Sequence, residues 1–85
     1  MLEHYLLMCK EVERAESLYP EFPSDIVKAV AIMLEEAGEV LQIANEMEWN
    51  QKGRSVTNEK DREDLKNELI QTGAMVFRCL LRLEL

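Results

Sequence analysis

Histidine and cysteine are scarce in this sequence of 85 residues, with one of the first and two of the second. Cys9 and Cys79 stand far apart and in no ligand cluster. They fall on apolar stretches and read as buried, reduced thiols of a cytoplasmic protein. His4, at the chain start, reads as an exposed polar residue. No apolar run is long enough to span a bilayer. The opening Met1-Leu2-Glu3-His4 lacks the basic stretch and apolar core of a secretory leader. Low-complexity tracts are missing, and basic residues are in the minority. A net charge of −7 argues against nucleic-acid polymers and anionic membranes as partners. What remains is 47% hydrophobic and 32% charged, the balance of one globular domain. A core of that size is marginal, so oligomerisation would help it.

The periodicity predicts an all-α chain of three main helices. The first spans about Leu2 to Tyr19, with Leu2, Tyr5, Cys9, Val12 and Glu16 along one line. Glu16 intrudes on that line, and Leu7 and Leu18 face outward, which points to contact with another subunit. Pro20 and Pro23 stop this helix and turn the chain. Ser24 is the expected N-cap of a second helix running to about Asn50, with Asp25 at its positive end. Residues Gln51 to Lys60 read as a loop around Gly53. A third helix is expected to start between Asn58 and Asp61 and to run to the C-terminus. Its apolar stripe (Leu65, Leu69, Val76, Leu80, Leu83) is widened by Ile70, Phe77 and Leu81, as suits a helix buried by more than one neighbour.

The chemistry lies in the acidic residues that enter the apolar stripes. Glu36 and Glu39 are three apart, so they project from one side of the second helix. With Ala37 at zero and about 100° per residue, Glu36 falls near roughly −100° and Glu39 near roughly −160°. Ala29, Ile43 and Met47 flank Glu36 in that projection. A carboxylate among apolar neighbours costs stability unless it is paired or bound to a cation. The third helix repeats the placement: Glu68 near roughly −100° and Gln71 near roughly −160° from Leu69, with Asp64 and Asp61 on the same polar line. Two such helices side by side bring Glu36, Glu39 and Glu68 together, with Asp64 or Gln71 as further oxygen donors. Clustered carboxylates without histidine or cysteine suit Mg²⁺ or Mn²⁺ better than Zn²⁺. A di-iron carboxylate bundle needs Glu-x-x-His, which is missing here. Hard cations shared with phosphates support hydrolysis at phosphorus, with a carboxylate taking the proton of the attacking water. In the loop, Lys52 and Arg54 either grip phosphate oxygens or are solvated charges. Trp49 is placed to stack on a base or to pack the helix end. Gly38 beside the acidic pair either admits a close neighbour or is simply tolerated.

The stretches Met33-Leu34-Glu35-Glu36-Ala37-Gly38-Glu39-Val40 and Asn67-Glu68-Leu69-Ile70-Gln71-Thr72-Gly73-Ala74, with Phe22-Pro23 ahead of them, resemble the MazG-like branch of the all-α nucleoside triphosphate pyrophosphohydrolases. The resemblance covers about residues 20–85. The family signature is Glu-x-x-Glu, a spacer, then Glu-x-x-Asp. Glu36, Glu39 and Glu68 match its first three positions, and Gln71 stands where the Asp usually is. A neutral amide oxygen does not replace the lost charge, and Asp64 is the residue placed to compensate. The resemblance implies one domain over residues 1–85, assembled as a homodimer or homotetramer of four-helix-bundle units. It implies Mg²⁺-dependent cleavage of a nucleoside triphosphate, ribo or deoxy, to the monophosphate and pyrophosphate, in nucleotide-pool house-cleaning. Glu36, Glu39 and Glu68 are then metal ligands and the catalytic set, and Gln71 a weaker ligand. The alternative is a non-catalytic interaction or nucleotide-sensing module of the same fold, with Gln71 marking a decayed site.

Overall fold

A computed structural model describes residues 1–49 and 59–84, except the Trp49 side chain. The described residues form three helices and no strand: α1 (Leu2–Leu18), α2 (Ile26–Trp49) and α3 (Glu59–Arg82). The expected cap Asn58, with Lys52 and Arg54, lies outside the described residues. No described helix is long and apolar enough to cross a membrane.

The helix ends follow local chemistry, with one correction. Tyr19 leaves the helix because Pro20 excludes the helical conformation from the residue before it. Its N–H still donates to the Ala15 carbonyl at 2.7 Å, closing the last turn of α1. Asp25, not Ser24, caps α2. Its Oδ1 accepts from the Lys28 N–H at 3.0 Å, and its carbonyl accepts from the Ala29 N–H at 2.9 Å. A cap side chain reaches the N–H three residues on, and with the first helical residue at Ile26 only position 25 has that register. The acidic Glu59 and Asp61 open α3 and Arg82 closes it, each matching the helix dipole.

The third helix is the centre of the fold. Both α1 and α2 pack against it, and the two do not pack directly on each other. Ala29 of α2 lies opposite Cys79, whose Sγ is 3.5 Å from the Ala29 carbonyl. Ala29 and Ala74 are wholly buried, so the helix backbones approach closely there. Burial pushes the Cys79 thiol up from its ordinary range. Across the other contact, a Cβ on Gly73 would come within 2.8 Å of the Met8 thioether, so glycine leaves room for α1. Tyr5 adds an edge-to-face contact with Phe77 at 6.1 Å.

Glu16, the intruder on the α1 stripe, has a partner far away in sequence. Arg78 is 4% exposed and donates from Nε to Glu16 Oε1 at 3.3 Å and from Nη2 to the Tyr19 carbonyl. Its guanidinium also lies 4.6 Å from the Phe22 ring centre. Arg82 adds a bond to the Pro20 carbonyl at 2.9 Å. The two arginines therefore tie the α1–α2 connection onto the end of α3.

The packed face of α2 is not the one centred on Ala37. Its buried point is Ala29, with Ile32 and Met33 beside it. On the projection above this lies near Glu36. The most apolar arc stays uncovered: Ile26 is 65% exposed, Leu34 63% and Leu41 61%. Leu69, Val76, Leu80 and Leu81 of α3 are exposed as well. Among the described residues, a Cβ on Gly38 would meet nothing within 4 Å, so none of them needs that glycine.

Candidate cation site between two helices

The antiparallel contact of α2 with α3 brings Glu36 and Glu39 against Glu68. One carboxylate oxygen from each of the three lies within 4.8 Å of the others. Opposite ligands of an octahedral Mg²⁺ are about 4.2 Å apart, twice a bond of about 2.1 Å. Three ligands of one ion include at most one opposite pair, and adjacent ones are about 3.0 Å apart, so the three carboxylates must draw together to hold a cation. Glu36 and Glu68 are half-buried and Glu39 is exposed, so the cluster opens to solvent on the Glu39 side.

The electrostatics are those of an uncompensated negative site. Oε2 of Glu36 and Oε2 of Glu68 are buried and have no hydrogen-bond partner. Among the described residues no lysine or arginine pairs with any of the three. Burial, then a hydrogen bond with Glu39 and the charges of Glu39, Glu36 and Asp64, push the Glu68 carboxyl up to about 7. Burial also raises Glu36, helped by Glu39, Glu11 and Glu35. Orphaned acceptor oxygens in a half-dry setting are what a hard cation satisfies. The donor set, all carboxylate oxygen, fits Mg²⁺ or Mn²⁺.

The other expected residues are placed differently. Asp64 lies one turn before Glu68, but its Oδ2 pairs with Lys60 Nζ at 3.2 Å, and it is not one of the close trio. Gln71 shares with Glu36 the wall of a cleft of about 360 Å³. That cleft lies between α1 and α2 with α3 as its floor. It runs from Glu11, Glu36 and Gln71 toward Tyr19 and Phe22 of the connection. A larger cleft of about 880 Å³, between His4, Met47 and the start of α3, contains none of the three glutamates. The sequence reading did not single out Glu11 and Arg14, which the packing of α1 on α3 brings to the smaller cleft. Their only local signal is the i, i+3 spacing of opposite charges on α1, which is common on solvated helices. In comparisons with known proteins, no family model, curated protein or solved structure matches the chain.

Proposed function

We propose that the chain is a divalent-cation-dependent nucleoside triphosphate pyrophosphohydrolase of the MazG-like kind. The observation that carries this reading is the trio Glu36, Glu39 and Glu68, with two buried oxygens that lack any partner. The motif resemblance supplies the reaction class. The three glutamates would hold Mg²⁺, or Mn²⁺ in its place. When bound, the cation supplies positive charge for the phosphate oxygens and makes a nearby water more acidic.

The chain's own groups do the rest. A carboxylate of the trio that is not fully used as a ligand can accept the proton of the attacking water. Gln71 offers a neutral amide on the adjoining cleft wall, able to orient a ligand but not to add charge. Lys52, Arg54 and Trp49 complete the proposal as substrate contacts, and Asp64 as an auxiliary oxygen donor. The uncovered apolar arcs of α2 and α3 support a homodimer or homotetramer of bundle type. A role in removing unwanted nucleotides in the cytoplasm completes the reading.

The test is pyrophosphate release from a panel of ribo- and deoxyribonucleoside triphosphates, with Mg²⁺ and with chelator. Metal-dependent release with the monophosphate as co-product is expected. Glu39→Gln and Glu68→Ala should abolish it while the helices persist, and full activity in both variants would sink the site assignment. Gln71 favours a second reading, a nucleotide-sensing module without turnover. That reading gains if triphosphate and Mg²⁺ raise the melting temperature but no substrate is cleaved with Mg²⁺ or Mn²⁺.

A further inference from the structure

Resting on the triphosphate reading above, we infer that Arg14, held in place by Glu11, is the side chain of α1 that grips the substrate's polyphosphate chain. Arg14 and Glu11 line the 360 Å³ cleft in common with Glu36 and Gln71. The same pair lines an adjoining cleft of about 350 Å³ with Lys10 and Gln71. The guanidinium therefore stands at the rim between two clefts, on the wall facing the carboxylate helix.

Its hydrogen bonds leave one edge open. Nε donates to both Glu11 oxygens at 3.0 Å, and Nη2 donates to Oε1. Nη1 engages nothing among the described residues. Glu11 is tucked in, with 17% of its side chain exposed, while Arg14 keeps 54% exposed. The other cation on this cleft, Arg78, is buried and already engaged by Glu16, Tyr19 and Phe22. Arg14 is thus the accessible cation of the cleft that reaches Glu36.

A planar guanidinium matches phosphate oxygens in pairs, and one fixed by a carboxylate loses less freedom when it binds them. In a chain of net charge −7, a polyphosphate beside three glutamates needs positive charge from more than one direction. A cation among the glutamates supplies one, and Arg14 supplies the other across the cleft. An i, i+3 surface pair adds little to stability. Arg14→Ala therefore leaves the fold standing and isolates the binding role.

The experiment uses the full chain and two probes. Mn²⁺ binding is read by electron paramagnetic resonance, and inorganic tripolyphosphate binding with Mg²⁺ by calorimetry. Arg14→Ala should weaken tripolyphosphate about tenfold, the worth of one charge-assisted hydrogen bond, with Mn²⁺ affinity unchanged. Arg14→Lys should recover part of the loss. Glu11→Gln should weaken binding by about threefold, because the guanidinium is less firmly placed. On nucleotide substrate, KM should rise more than kcat falls in Arg14→Ala. Unchanged tripolyphosphate affinity in Arg14→Ala, beside a wild type that binds it, overturns the role of Arg14 alone. A wild type that binds neither Mn²⁺ nor tripolyphosphate overturns the triphosphate reading, and this inference with it.

Discussion

Removing the charge of Glu68 should stabilise the fold and remove its response to metal. In chelator, native Glu68 keeps its proton up to about pH 7, whereas the unfolded chain releases it near 4.5. Between those values the native state binds more protons, so wild-type stability falls as the pH rises through that window and is level above it. At about 1.4 kcal/mol per pH unit the loss reaches roughly 3 kcal/mol. Partial exposure of the side chain reduces it to about 2 kcal/mol. Glu68→Gln keeps the shape and removes the charge. Near pH 8 without metal, the variant should therefore exceed wild type by about 2 kcal/mol, or about 10 °C in Tm. Near pH 4.5 the two should almost coincide. Mg²⁺ at about a hundredfold excess over its Kd adds about 2.7 kcal/mol to wild type. The variant, with one ligand of three lost, should gain little, so metal closes the gap. Thermal melts followed by circular dichroism, with chelator and with Mg²⁺, read all four conditions. A variant no more stable than wild type near pH 8 in chelator would refute the charge crowding on which the site is built.

Arg78→Ala should cost about 2 kcal/mol in urea unfolding, because the Tyr19 carbonyl and the Phe22 ring lose the buried guanidinium while Glu16 keeps only its 3.4 Å contact with Arg82. Arg78→Lys should recover less than half, since an ammonium does not reproduce the guanidinium's contacts with Glu16, Tyr19 and the Phe22 ring. Asp25→Ala should lose about 1 kcal/mol and Ser24→Ala close to nothing; equal losses would return the cap to Ser24. Leu34→Glu, in the middle of the uncovered α2 arc, should shift the sedimenting species toward monomer with helicity retained. An unchanged species would place the subunit contact elsewhere.

The cluster was legible in the sequence because helical spacing alone sets Glu36, Glu39 and Glu68 on definable sides of their helices. The packing face of α2 was not, for a physical reason. Periodicity finds the direction in which most apolar side chains point, and here that arc, through Ile26, Leu34 and Leu41, is left open among the described residues. The face packed on α3 is instead the small-residue side at Ala29, which brings Glu36 with it. Glu16 looked like a flaw in α1 because its partner, Arg78, is remote in sequence. Arg14 was invisible for the same reason: its relation to Glu36 exists only through the packing of α1 and α2 on α3. Asp64 had the right helical angle, but its neighbour Lys60 claims the carboxylate.

The most direct measurement is a titration of Mn²⁺ into the wild type and into the double variant Glu36→Gln/Glu68→Gln, followed by electron paramagnetic resonance near pH 8. The account predicts saturable binding in the wild type and its loss in the double variant, while both keep their helical spectrum. Affinity unchanged by the double substitution, or no saturable binding in the wild type, would contradict the claim that these carboxylates hold a cation.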